Sequence, residues 1–186
     1  MQYSLEEKYQ KIKEQVIQEQ GKDPIVILKH LMHQDYINIH GPEHHFLDGA
    51  CFLMAYYNAG GTIDIEQAID ELAKRTIKMP GAMCGYWGVC GSVASLGACL
   101  SILHHTGPLS DDIYYQDHME FTSRVIHKMS DIGGPRCCKR NAFLSISEAC
   151  LFVKEKYGTE LSLSPISCEF TSLNQQCIKN RCPFHR

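Results

Sequence analysis

At 186 residues and 44% hydrophobic content, the chain is long enough to bury one substantial core and carries no compositional sign of disorder or of a fibrous repeat. Its 18 Lys and Arg against 21 Asp and Glu leave a formal net charge of −3, which argues against the broad basic surface of a nucleic-acid-binding domain and leaves room only for a local contact. The anomaly is the presence of 10 cysteines.

The opening segment, MQYSLEEKYQKIKEQVIQEQ, is charged throughout and lacks the apolar run of a signal peptide or membrane anchor; no later stretch reaches the length of a membrane span. A cytoplasmic location is expected. Reducing compartments do not sustain structural disulfides, so thiols there are expected to bind metal, to react, or to fill core.

In chain order, Ser4 and Glu7 form a capping box ahead of an apolar stripe of Leu5, Tyr9, Ile12 and Val16. Asp23-Pro24 starts a second helix that runs to about His33, and a third begins at Gly41-Pro42 and continues to Gly60-Gly61. Asp64 caps a fourth, with Ile65, Ala68, Ile69, Leu72 and Ala73 on its apolar face and Pro80 behind it. MPGAMCGYWGVCG, with glycines at 81, 85, 88 and 91, reads as a loop into a helix whose Gly91, Ser95 and Ala98 face suits close helix approach. A further helix is expected over 111–130. Asn141 is expected to cap a last one, with Ile146, Cys150, Val153 and Tyr157 on one face and Gly158 at its end. The expected architecture is an all-α bundle of about seven helices in one domain, 1–186. It divides into a helical core over 1–158 and an irregular, cysteine-bearing tail over 159–186 that needs an external reason to be ordered.

Three segments carry chemistry. In the tail, Cys168, Cys177, Cys182 and His185 fall at C-x8-C-x4-C-x2-H, a ligand density suited to zinc or an iron-sulfur cluster. The ending resembles a CCCH zinc finger with shortened gaps, while a Cys-Pro end also suits a cluster ligand. In the glycine loop, Cys90 stands at a helix N-terminus, where amides and the dipole favour a thiolate. The same loop supplies Cys84, and Gly88 and Gly91 let the backbone approach an inorganic centre. In GGPRCCKR, Cys137 and Cys138 are adjacent, with Cα atoms ~3.8 Å apart, too close for an ordinary disulfide, so each is expected to face something else. The cations around them, Arg136, Lys139 and Arg140, are expected to favour thiolate character if the thiols are exposed. On the third helix His44 and Asp48 share a face with Cys51, with His40 and His45 nearby; a His with a carboxylate one turn on suits an oriented acid-base pair or a metal ligand. Cys99 and Cys150 fit core positions. No nucleotide loop, hydrolase triad motif or C-x3-C-x2-C run is present.

The runs DGACFLMAYYNAGG, MCGYWGVCGSVASLGACLSI and GPRCCKRNAF, with the C-x8-C-x4-CPF ending, resemble a prokaryotic family of unknown function, some of whose members carry the domain beside methyltransferase-like modules. They are also similar to the redox-active family named for its C-GCAxxG-C-C pattern: Cys51 stands at the leading cysteine and Cys90-Gly91 at the second, with Ser92-Val93 where that pattern has Cys-Ala. The resemblance implies an anaerobe-type thiol or iron-sulfur protein and names no substrate.

The expectation is an iron-sulfur protein holding a 4Fe-4S cluster on Cys168, Cys177 and Cys182, with a fourth ligand from Cys90 or from the vicinal pair, Cys138 in particular. Remaining thiols among Cys90, Cys137 and Cys138, with His44 and Asp48, would carry redox or sulfur-transfer chemistry. Its partner would be a redox protein, a small-molecule substrate or a methyltransferase-like protein, without membrane or nucleic acid. Two other readings stand beside it. One is a zinc module closed by Cys168, Cys177, Cys182 and His185, with Lys179, Arg181 and Arg186 touching RNA or a protein. The other is a metal-free thiol oxidoreductase pairing Cys90 with Cys137 or Cys138.

Overall fold

The computed structural model describes residues 3–186; Met1 and Gln2, with which the N-terminal segment and the expected domain range begin, lie outside the described residues. Among the described residues the chain forms eight α-helices and no strand. They are α1 (Leu5–Val16), α2 (Pro24–Met32), α3 (Glu43–Asn58), α4 (Ile65–Thr76), α5 (Met83–Tyr86), α6 (Gly91–Leu103), α7 (Ile113–Ile132) and α8 (Cys138–Tyr157). Two 3-10 turns, Thr171–Leu173 and Lys179–Arg181, punctuate the tail. The all-α expectation holds, and the eighth helix is the single turn α5 inside the glycine loop. The start signals act as their chemistry dictates: Ser4 and Glu7 close a reciprocal capping box on α1, and Asp23, Asp64 and Asp112 accept first-turn amides of α2, α4 and α7.

One boundary differs from expectation in a way that matters. Asn141 does not cap α8. The helix begins at Cys138, and Cys137, extended at φ −146° and ψ 107°, is its N-cap, its Sγ accepting the Arg140 backbone N–H at 3.4 Å. A thiol acts here as the N-cap acceptor, a role sequence reading assigns to Ser, Thr, Asp or Asn.

The bundle is built around α3. Every residue from Glu43 to Ala55 is buried, because α1, α2, α4, α6 and α8 pack around this helix from different sides. Tyr9 of α1 stacks on Phe46 at 4.7 Å between ring centroids. The closest packing is with α6. There a Cβ on Gly49 would lie 2.5 Å from Ser95 Oγ, 2.8 Å from Cys99 Sγ and 2.8 Å from Leu72 Cδ2, so glycine sets the approach of α3 to α4 and α6. Cys99 and Cys150 are buried in this core, as their periodicity implies, and Cys51 is buried there as well.

The tail is ordered by docking. Phe170 is 2% exposed, Phe184 meets Phe143 of α8 edge-on at 5.6 Å, and Glu169 reaches Lys29 (2.5 Å) and His33 (2.9 Å) of α2. The Cys168 backbone N–H donates to the Phe184 carbonyl at 2.7 Å, closing the segment on itself. Gly49→Val should destabilise the fold by about 1–3 kcal/mol through overpacking at the α3–α6 contact, measured as a lower denaturation midpoint with unchanged slope.

Candidate functional site

Because Cys137 is an extended cap and Cys138 the first helical residue, their side chains leave the backbone in different directions. Each lines a separate depression in the surface, one on the tail side of the α8 start and one on the α3 side.

On the tail side, Cys137, Cys168, Cys177 and Cys182 line one narrow recess, together with His185 and the rings of Phe143, Phe170 and Phe184. Short turn bonds aim the tail thiols: the Cys177 N–H donates to the Asn174 carbonyl (3.0 Å) and the Cys182 N–H to the Lys179 carbonyl (2.7 Å). Three N–H groups donate toward the sulfurs, Arg140 N–H to Cys137 (3.4 Å), Asn174 Nδ2 to Cys137 (3.5 Å) and Lys179 N–H to Cys177 (3.4 Å). Burial pushes the Cys137 thiol up; the Arg140 amide and charge pull it down, and nearby Cys168 and Cys182 push it up again. Thiolate character at Cys137 therefore needs a compensating positive centre.

Lys139 supplies part of one. It is 1% exposed, its Nζ has no hydrogen-bond partner, and it lies 4.7 Å over the Phe170 ring at the recess wall. Burial brings its pKa down to about 8, against the attraction of Asp48 and Cys138. An unpaired buried ammonium beside four thiols is the charge complement an anionic all-thiolate centre requires. Among the described residues, no three His, Cys, Asp or Glu side chains already stand at the spacing of a single ion's ligands. The donor set of four thiols with His185 fits a thiolate-bound metal centre, zinc or cluster alike.

On the α3 side, Cys84, Cys90 and Cys138 line a cavity of about 260 Å³ with His44, His45 and Asp48. Cys90 is the N-cap of α6; Asn141 Nδ2 donates to its sulfur at 3.2 Å and the Ser92 and Val93 amides face it, yet burial is the larger effect and raises its pKa. Cys138 is pushed up to about 12, again by burial, against the Gly41 amide and Arg136. The expectation of thiolate character from cationic neighbours is corrected accordingly: Lys139 and Arg140 are buried at the helix start, and Arg140 spends its guanidinium on the Gly133 and Pro135 carbonyls, both at 3.1 Å. Gly91 is where it is for contact, since a Cβ there would lie 2.2 Å from His45 Cδ2. Gly88, at φ +69° with open space around it, serves the turn and lines neither wall of this cavity.

His40 joins the two sides. The Cys138 N–H donates to His40 Nδ1 (3.4 Å), and His40 Nε2 donates to Asn174 Oδ1 (3.0 Å), whose Nδ2 donates on to Cys137. The tail thiols thus meet Cys137, while Cys90 and Cys138 lie together across the α8 start and apart from the tail. His44 and Asp48 join Cys90 and Cys138; His185 joins the tail recess. Sequence reading missed Asn174 and the sulfur contact of Asn141, and it took Lys139 as a cation beside the thiols without its burial. The signal for that burial, a place two residues past the helix cap, depends on recognising Cys137 as the cap.

The chain matches no curated protein and no solved structure. A family model spans nearly all of it, including the α3 start, the glycine loop, the vicinal pair and every tail thiol. With residues 12–185 matched, the chain belongs to a family of unknown function, DUF5714.

Proposed function

We propose that this chain holds a 4Fe-4S cluster on Cys137, Cys168, Cys177 and Cys182 and carries out redox or sulfur-transfer chemistry at the adjoining thiols Cys138 and Cys90. One observation carries the reading: four thiols from two segments remote in sequence line a single recess whose wall holds a buried, unpaired ammonium. Closed ligation by four cysteines suits electron transfer, and the bound group would supply one electron at a time.

The chain's own residues divide the remaining work. Phe143, Phe170 and Phe184 keep water from the recess, and N–H donors at Cys137 and Cys177 lower the charge density on sulfur. Lys139 offsets the negative charge. Cys138, one peptide bond from Cys137, faces the cavity where a redox protein or small molecule would accept electrons or sulfur, with Cys90 beside it and Asp48 and His44 able to take up protons.

Protein purified without air should contain about four iron and four sulfide per chain. Substituting Cys137, Cys168, Cys177 or Cys182 by Ala should remove most of that iron, whereas Cys90→Ala and Cys138→Ala should retain it. A colourless protein with one tightly held zinc, lost on His185→Ala, would instead establish the zinc module. Lys139→Met makes a second test with two readouts of opposite sense. Removing the cation should lower the midpoint potential, because the reduced centre is the more negative one. Replacing a buried unpaired charge by an apolar side chain should raise the denaturation midpoint of the iron-free protein.

A further inference from the structure

The cavity on the α3 side contains a polarity problem that the thiol chemistry above does not answer. Asp48 is 0% exposed and His44 1% exposed, and neither Asp48 oxygen nor His44 Nδ1 has a hydrogen-bond partner. His44 Nε2 is 3.1 Å from the Asn38 carbonyl, which can only accept, so Nε2 carries a proton and Nδ1 is the nitrogen turned toward Asp48. His45 Nδ1 is likewise buried without a partner. Lys139 makes no ion pair that would satisfy the carboxylate. Unpaired polar atoms of three residues that line one cavity are thus buried together, and a buried carboxylate with no hydrogen-bonded donor is costly.

The distance between them is informative. His44 Nδ1 and Asp48 Oδ1 lie 3.5 Å apart without hydrogen-bond alignment. Two ligands each about 2.0–2.2 Å from a tetrahedral zinc lie about 3.4 Å apart, so the pair already has the edge length of a zinc ligand sphere. The backbone carbonyl behind Nε2 is the outer contact that fixes tautomer and ring orientation in metal-bound histidines. Cys90, held by Asn141, and Cys138 supply sulfur on the same walls. Their thiols stand back from single-ion spacing and must turn inward to bind.

We infer that this cavity is a second metal site, separate from the tail recess, taking one divalent ion of the zinc class on His44 Nδ1, Asp48, Cys90 and Cys138. The mixed nitrogen, oxygen and sulfur donors select a borderline-soft ion over magnesium or calcium, which prefer all-oxygen spheres. The exposed rim at Gly81 and Arg136 gives the ion a way in. The site does not depend on what the tail thiols hold, and it is an alternative state of the same side chains: with the ion bound, Cys90 and Cys138 are withdrawn from redox or sulfur-transfer chemistry and His44 and Asp48 from proton uptake.

Cobalt(II) titration of the full-length chain after chelation tests this, with Cys177→Ala, carried throughout together with Cys182→Ala, as the background so that the tail keeps only Cys137, Cys168 and His185 and cannot supply a complete sphere. In that background one cobalt per chain should bind, with tetrahedral d–d bands and thiolate-to-cobalt charge transfer. Added Asp48→Asn or His44→Ala should weaken binding by more than about 100-fold, and Cys90→Ala should cut the charge-transfer intensity. Zinc should raise the melting temperature of that background but not of its Asp48→Asn variant; helical circular dichroism shows that each variant is folded, and Cys90→Ala carries the test if Asp48→Asn is not. Absence of cobalt binding in that background, or binding unmoved by Asp48→Asn and Cys90→Ala, would overturn the second site. Failure of the cluster reading would appear separately, as wild-type protein without iron and sulfide.

Discussion

Two consecutive residues at a helix start cannot aim their side chains at the same point, and the candidate chemistry of this chain is organised by that constraint. Cys137 is an extended cap whose sulfur accepts a first-turn amide; Cys138 is the first helical residue. The backbone between them works as a partition with one thiol on either side. On one side lie the three tail cysteines, on the other Cys90 and the polar end of α3. Arg140 holds the partition in place by binding the Gly133 and Pro135 carbonyls of the turn before it. His40 and Asn174 bridge it with directed hydrogen bonds, so that moving the tail disturbs both thiols.

The second constraint is the burial of α3. Enclosure by five other helices carries Glu43, His44, His45 and Asp48 into the interior along with Phe46 and Leu47. Glu43 is satisfied there by Lys8 at 3.1 Å and by the Asn38 amide at 2.8 Å. Asp48 is not satisfied, and Lys139 across the α8 start is not satisfied either. A fold that leaves a carboxylate, an imidazole nitrogen and an ammonium unpaired in its interior has given up stability in one place, where function is the usual reason.

Much of the helical framework is legible in the chain itself. Ser4 and Glu7, Asp23-Pro24, Asp64 and Gly158 are local signals, decided by whether one side chain or a left-handed residue can satisfy helix-end groups, and each marks a real boundary. The core thiols Cys99 and Cys150 follow from helical period. The start of α8 was not legible, since a cysteine is an uncommon cap and Asn141 offered an ordinary one. Nor was the order of the tail, which rests on Phe170 and Phe184 finding α8 and on Glu169 finding α2, contacts made across more than a hundred residues of chain in the case of Glu169.

By itself, then, the sequence determined an all-α chain with a thiol-rich tail, a thiol at the head of α6 and a vicinal pair in a turn, because capping, periodicity and ligand spacing are local properties. Only the tertiary structure decided that the tail meets Cys137 and not Cys90 or Cys138, that Lys139 is an interior cation, and that Asp48 faces His44 without a donor. Those outcomes depend on which helix faces pack together, and no short window of sequence contains that information.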